Sequence, residues 1–144
     1  MNYNIKYMTS PDWDKADTAA ISAYVWGGEY TPRAVAKLIS TGDSLHARLE
    51  CEEANPKAEY RNFFDPVYLD SCLEFFFSFQ KGGKYVNCEM NSLGTSLIAV
   101  GDDRHGRVRI DKIAAVPAVK ASREGNIWRV EAEFTLEKIG RAHV

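Results

Sequence analysis

The sequence predicts an all-β fold with the architecture of a two-sheet antiparallel β-sandwich. Three observations predict it. Apolar and polar residues alternate with a period of two in several segments, which is typical of half-buried strands. Turn residues separate those segments, and no long stretch has a helical period. With 144 residues, the chain has the length of one domain with one core.

The first half of the chain contains three predicted strands. Residues 19–26 and 33–40 are rich in side chains that favour strands. In residues 45–52 apolar and polar positions alternate strictly, so one face is predicted to be apolar and the other solvated. Residues 41–43, Thr-Gly-Asp, supply the tight turn of a hairpin between the second and third strands.

The second half begins with an aromatic ladder. Residues 72–79 place leucine and phenylalanine on one face, and the glycine-rich turn 81–84 leads into an alternating strand over 85–91. Shorter apolar patterns predict further strands over 95–100 and 128–136. The inward positions predict that the following residues are buried: Leu45, Leu49, Phe75, Phe77, Trp128, Val130 and Phe134.

Charge and hydropathy exclude some classes of partner. The formal net charge is −2, so the chain has no excess of basic residues for tracking nucleic-acid phosphates or an anionic membrane. No apolar run approaches the roughly 20 residues that span a bilayer. The first residues lack the pattern of a signal peptide, which predicts a cytoplasmic protein with neither nucleic-acid nor membrane partners.

The three cysteines are predicted to be free, buried thiols. Cys51, Cys72 and Cys88 are odd in number and have no CxxC spacing. Each lies in a segment with strand patterning, so neither a disulfide framework nor a metal site is expected.

Two neighbouring segments carry a family resemblance. Residues 68–76 read YLDSCLEFF, and residues 83–95 read GKYVNCEMNSLGT. This pattern resembles the family 9 carbohydrate-binding modules, and more closely their single-domain bacterial relatives with a DOMON-like, immunoglobulin-like sandwich. The resemblance covers most of the chain. It implies a module that binds a carbohydrate, such as an oligosaccharide or a glycan end, without catalysis and with no cofactor other than a structural calcium ion.

The same segments contain the side chains that sugar recognition requires. A pyranose has an apolar C–H face and a rim of hydroxyls, so its site needs an aromatic platform with polar groups beside it. Tyr68 is the candidate platform, and the resemblance implies an aromatic residue at that position, six residues before Glu74. Alternation predicts that Glu74, Asn87, Glu89 and Asn91 point out of one sheet face together. The alternative is an ordinary solvated sheet face.

The resemblance also implies differences from the better-known modules. Those modules have an arginine where Glu89 stands here, and their second binding aromatic lies in a segment that this chain does not reach. Arg104 and Arg107 either contact the sugar or form ion pairs with Asp102 and Asp103. A structural calcium ion is implied as well, and Asp102 and Asp103 are its candidates, although no EF-hand-type loop is present.

Three other functions remain open at this stage. Glu74 and Glu89 are a candidate carboxyl pair for a glycoside hydrolase-associated domain, although nothing in the sequence fixes their separation. Some DOMON-like relatives hold haem through Met and His, but Met90 is predicted to face the core and His46 the solvent. A protein-interaction domain is the third possibility.

The last residues are expected to be foreign to the domain. Residues 139–144 read IGRAHV, which is the translation, in one frame and up to a stop codon, of a widely used sequencing adapter. The sequence therefore predicts a partial carbohydrate-binding sandwich over residues 1–138 and a non-native tail over residues 139–144.

Overall fold

The computed structural model describes residues 2–24, 27–79 and 81–137. Within these ranges the regular elements are ten strands and two short 3-10 helices. The predicted strand over residues 19–26 is present as a shorter one, and Trp26 lies outside the described residues. Residues 138–144 lie outside them as well, and these include the predicted foreign tail over residues 139–144. The described residues contain no helix long and apolar enough to cross a membrane.

The strands follow in chain order: β1 Lys6–Tyr7, β2 Ala19–Ile21, β3 Ala34–Ser40, β4 Ser44–Glu52, β5 Cys72–Phe77, β6 Tyr85–Asn91, β7 Ser96–Gly101, β8 Val108–Arg109, β9 Ala118–Glu124 and β10 Ile127–Thr135. The 3-10 helices span Val67–Leu69 and Ile110–Lys112. The larger sheet has the order β1-β3-β4-β10-β9, with β2 also paired to β3, and the smaller sheet has the order β5-β6-β7-β8. All pairs are antiparallel except β1 with β3.

The two sheets pack face to face, which confirms the predicted sandwich. The larger sheet contributes the inward residues of β4 and β10, and the smaller sheet contributes those of β5, β6 and β7. Trp128 and Phe134 are fully buried, and burial of each such side chain stabilises the fold by about 1.5–3 kcal/mol. The predicted burial of Leu45, Leu49 and Val130 is confirmed.

Phe75 and Phe77 are only half-buried, so their predicted burial was wrong in degree. Both rings face the core and pack on Phe134, with centroid distances of 6.1 and 4.7 Å. Their strand, β5, is the edge of the smaller sheet. An edge strand has no neighbour on one side, so solvent reaches the rings from that side.

The outer face of the larger sheet carries polar side chains over β4 and β10. Cross-strand ion pairs join Arg48 to Glu131 at 2.6 Å and Arg129 to Glu50 at 2.8 Å. The guanidinium of Arg48 also stacks over Trp13, 4.5 Å from the ring centroid. The two ion pairs join side chains that lie directly opposite each other on β4 and β10.

Candidate functional site

The outer face of the smaller sheet forms the floor of an open pocket of about 740 Å³, which we call the aromatic pocket. Strands β5, β6 and β7, the 3-10 helix at Val67–Leu69 and the loop after β7 surround it. Its lining residues are Phe64, Tyr68, Glu74, Phe76, Tyr85, Glu89, Leu97, Ala99, Arg104, His105 and Arg107. The volume is within the range of sites for small organic ligands.

Five of the seven predicted site residues line this pocket: Tyr68, Glu74, Glu89, Arg104 and Arg107. Glu74 and Glu89 come together because their strands pair in register, with Glu74 directly opposite Glu89. Tyr68 lies in the 3-10 helix between the fully buried Val67 and an exposed leucine, so the helix is anchored while the tyrosine side chain stays exposed.

Asn87 and Asn91 share the sheet face with Glu89, as alternation predicted, but they do not line the pocket. Both are fully buried, and Glu89 is 7% exposed. The alternative of an ordinary solvated face is therefore wrong for these three residues. Asn87 lies beneath the pocket floor, where its Nδ2 donates to Oε1 of Glu89 at 2.8 Å.

Asn91 holds the loop that carries Tyr68. Its Nδ2 donates to the carbonyl of Tyr60 and to Oδ2 of Asp70, and its Oδ1 accepts from the backbone N–H groups of Leu93 and Thr95. All hydrogen-bonding atoms of this side chain are thus engaged within the protein. Asn91 positions the site rather than forming its surface.

Asp70 is the other half of this anchor. Burial alone raises the pKa of Asp70, but hydrogen bonds from the Glu59 backbone, the Asn91 side chain and the Tyr60 backbone outweigh it and hold the pKa below its ordinary value of 3.8. The charged carboxylate therefore fixes the segment before the 3-10 helix. Sequence reasoning noted Asp70 only as part of a motif.

Two buried acceptor atoms have no hydrogen-bond partner in the described part of the chain: Oδ1 of Asn87 and Oε2 of Glu89. Buried polar atoms are nearly always paired, because an unpaired one costs about 1–3 kcal/mol. Such an atom at the wall of a pocket is characteristic of a site that a ligand completes. Oε2 of Glu89 is therefore the atom of this pocket at which we expect a hydrogen-bond donor or a cation to bind.

Glu74 is the more exposed carboxylate of the pair. Burial, and then the neighbouring charge of Glu89, raise the pKa of Glu74 above its ordinary value of 4.5, and Arg107 partly opposes them. Two like charges directly opposite on adjacent strands repel each other. The floor of the pocket is thus an acidic pair with basic side chains at its rim.

The loop after β7 closes the pocket. Oδ1 of Asp103 accepts from the backbone N–H groups of His105 and Gly106 at 2.7 and 2.8 Å. The described residues contain no ion pair between Arg104 or Arg107 and the two aspartates of this loop. The alternative in which these arginines pair with Asp102 and Asp103 is thus not seen in the part of the chain that the structure describes.

Gly101 at the end of β7 lets this loop fold onto the sheet. A methyl group on Gly101 would lie 2.8 Å from Cα of Arg107, closer than any side-chain carbon tolerates. Gly101 pairs with Tyr85 across the sheet. The absence of a side chain here brings the Arg107 backbone directly over the strand.

Aromatic residues that sequence reasoning did not select also line the pocket. Phe76 and Tyr85 are neighbours with ring centroids 6.0 Å apart, and alternation places them on the face of Glu74 and Glu89, so that signal was available. Phe64 has a left-handed backbone with φ of 71°, and the guanidinium of Arg109 lies 4.4 Å from its ring centroid. A strained residue of this kind at a pocket wall is not visible in the sequence.

The loop aspartates do not fit the calcium ion that the family resemblance implies. Asp103 uses an oxygen on its own loop backbone. In the described ranges, the side chains that could together hold a metal ion are Cys72, Glu74 and Glu89. A thiol is a poor ligand for calcium, which prefers oxygen.

Comparisons with known proteins agree on one class. The profile described as carbohydrate-binding family 9 matches residues 8–131. Among solved structures, the chain is similar to one from Bacteroides uniformis ATCC 8492 described as a "putative carbohydrate-binding protein". That match has a TM-score of 0.79 and 18% sequence identity, and covers 95% of this chain and 73% of the other, which establishes a shared fold. No curated protein matches the sequence.

Proposed function

The chain belongs to carbohydrate-binding family 9, and we propose that it binds a carbohydrate in the aromatic pocket without catalysing a reaction on it. The observation that carries this proposal is the composition of the pocket. Tyr68, Phe76 and Tyr85 offer ring surface beside the carboxylates of Glu74 and Glu89. Apolar faces next to fixed acceptors match the two chemical surfaces of a pyranose.

In this proposal Tyr68 stacks on the C–H face of the sugar. Tyr68 is 57% exposed although its 3-10 helix is anchored through the buried Val67, so stacking needs no rearrangement of the backbone. Glu74, the more exposed carboxylate of the pocket floor, accepts a hydrogen bond from a sugar hydroxyl. A charge-assisted hydrogen bond contributes about 1.5–3 kcal/mol, and an aromatic contact about 0.5–1.5 kcal/mol.

Arg104 and Arg107 complete the rim as donors. Arg107 is close enough to Glu74 to lower the pKa of that carboxyl, and both guanidinium groups border the same opening. A guanidinium offers several N–H groups in a fixed plane, which suits neighbouring hydroxyls. Donors at the rim and acceptors on the floor give the pocket two sides of opposite polarity.

The arrangement of the carboxyls favours binding over hydrolysis. A glycosidase needs two carboxyl groups that flank the scissile bond. Glu74 and Glu89 instead lie side by side on adjacent strands, with Glu89 buried in the floor. The haem alternative has no support in the geometry, because Met90 is buried in the core while His46 hydrogen-bonds to Thr41 on the other sheet.

The test is a glycan array followed by calorimetry with the best ligand. Tyr68→Ala and Glu74→Ala are each expected to weaken binding at least several-fold. Tyr7→Ala is the matched control, because Tyr7 is an exposed tyrosine on the larger sheet, and its affinity should equal that of the parent. Unchanged affinity in both pocket variants would exclude this pocket as the sugar site, and release of reducing ends from the ligand would contradict the absence of catalysis.

A further inference from the structure

Cys72, Glu74 and Glu89 form a compact group of unlike ligand types, which we call the thiol-carboxylate cluster. Their sulfur and carboxylate oxygen atoms lie within 4.8 Å of one another. Alternation along β5 puts Cys72 on the same face as Glu74, and register puts Glu89 opposite Glu74. The cluster thus belongs to two paired strands and not to a loop.

A second observation indicates that the cluster lacks a partner. Glu89 is more than nine-tenths buried, and its Oε2 accepts no hydrogen bond in the described part of the chain. Its other oxygen is already fixed by Asn87. A buried carboxylate oxygen with no donor, directly beside a second carboxylate, needs a cation or a proton.

From this juxtaposition we infer that the thiol-carboxylate cluster is a site for a zinc ion, held by Sγ of Cys72 and by one oxygen each of Glu74 and Glu89. Zn²⁺ accepts mixed sulfur and oxygen ligands, whereas Ca²⁺ and Mg²⁺ select oxygen alone. Bond lengths of about 2.0–2.3 Å put the ligand atoms roughly 3–4 Å apart around zinc. Side-chain rotations that move the ligand atoms by about 1 Å therefore complete the site.

The energetics of the cluster agree with this assignment. The ion removes the repulsion between the two carboxylates and gives Oε2 of Glu89 its missing partner. The other two cysteines belong to the core between the sheets.

Three protein ligands leave a coordination position for water or another small ligand. Because Glu74 and Glu89 also line the aromatic pocket, that position is reached from the pocket. The inference does not depend on carbohydrate binding, and zinc affinity is measured without sugar. Failure of one proposal therefore leaves the other intact.

The experiment first removes bound metal from the 144-residue chain with a chelator and then titrates Zn²⁺ by calorimetry. The titration is repeated with Co²⁺, whose bond to a thiolate gives a charge-transfer band in the near ultraviolet. We expect one zinc ion per chain and a cobalt–thiolate band. We also expect that Ca²⁺ or Mg²⁺ at the same concentration does not displace zinc. Cys72→Ala removes a direct ligand, so it should abolish the band and weaken zinc binding by at least about a hundredfold, because loss of a mere hydrogen-bond partner of a ligand already costs about 10–100-fold.

Control variants locate the site and keep the test independent of folding. Cys51→Ala removes a thiol on the other sheet and should leave the stoichiometry and the band unchanged, as should Glu124→Gln on the exposed strand β9. Glu74→Gln removes a ligand at an exposed position, so it remains informative if Cys72→Ala does not fold. No zinc uptake, a missing cobalt band, or full binding by Glu74→Gln would each overturn the inference.

Discussion

Glu74 and Glu89 face each other across a single rung of the β5–β6 ladder, one partly exposed and the other buried. A directly opposed pair of carboxylates destabilises an antiparallel sheet. Nearby positive charge comes from Arg107, with Arg104 also at the pocket wall. The sheet therefore retains a locally unfavourable arrangement at the floor of its pocket.

The first prediction is that Glu74→Gln stabilises the metal-free protein at neutral pH. The folded-state pKa of Glu74 is raised above 4.5, so the folded chain binds its proton more tightly than the unfolded chain. Its stabilising contribution is full below the unfolded pKa and is lost as the pH rises through the folded pKa. Solvent screening limits the expected gain in unfolding free energy to roughly a few tenths of a kcal/mol.

Urea unfolding with a chelator present checks this prediction at about pH 7 and about pH 4. The difference in unfolding free energy between Glu74→Gln and the parent should disappear at the lower pH. There the Glu74 carboxyl of the parent is protonated and therefore uncharged, as the glutamine amide is. Glu124→Gln is the control, since it removes an exposed carboxylate far from a like charge across the ladder. A gain that grows on acidification would contradict the assigned direction of the shift.

The second prediction concerns Asn91, whose side chain makes four hydrogen bonds in a fully buried position. Asn91→Ala should lower the free energy of unfolding by about 2–4 kcal/mol, because it leaves the carbonyl of Tyr60 and two backbone N–H groups without partners. Asn126→Ala, in an exposed turn, should change it by less than about 0.5 kcal/mol. Equal effects in denaturant unfolding would refute the anchoring role.

The third prediction is that the loop after β7 depends on Gly101. Gly101→Ala forces the Arg107 backbone away from the strand, and overpacking of this kind destabilises by about 1–3 kcal/mol. The affinity for the sugar should fall together with the stability, because the substitution displaces Arg104 and Arg107. Gly106→Ala is a matched control in the same loop, since its added methyl would meet an aspartate oxygen at an ordinary 3.5 Å.

The two Gly→Ala variants are compared by thermal unfolding and by calorimetry with the array ligand. Gly106→Ala should retain both the stability and the affinity of the parent. If Gly101→Ala also retained them, the close approach of Arg107 to the strand would not be a requirement of the site.

The sheet faces were predictable because the period of a strand is two. Alternation alone put Glu74, Asn87, Glu89 and Asn91 on one face, and the register confirms it. Burial was not predictable in the same way. Asn91 is buried because the segment that contains Tyr60 and Asp70 folds over it, and no local pattern encodes that contact.

Edge position and backbone strain limited the remaining predictions. The aromatic ladder correctly indicated the core face of β5, but not that β5 is an edge strand, which leaves Phe75 half-exposed. The left-handed conformation of Phe64 follows from the path of its loop, because bulky residues rarely prefer it. The parallel pairing of β1 with β3 likewise has no sequence signal.

The last prediction separates two adjacent phenylalanines of β5 by function. Phe76 lines the aromatic pocket and is 51% exposed, whereas Phe77 faces the core, where it stacks on Phe75 and meets Phe134 edge to face. Phe77→Ala should lower the free energy of unfolding by about 2 kcal/mol or more, less than for a fully buried ring. Phe76→Ala should change stability by less than about 1 kcal/mol and weaken sugar binding several-fold through the lost ring surface.

Each variant is the control for the other, because the chemistry of the substitution is identical and the positions are one residue apart. Urea unfolding gives the stability difference, and calorimetry at a temperature where both variants are folded gives the affinity. Because a one-residue slip of a strand exchanges its faces, the reverse result, with Phe76→Ala unfolding the protein and Phe77→Ala abolishing binding, would show that β5 is one residue out of register. Loss of stability without loss of affinity in both variants would remove Phe76 from the binding site.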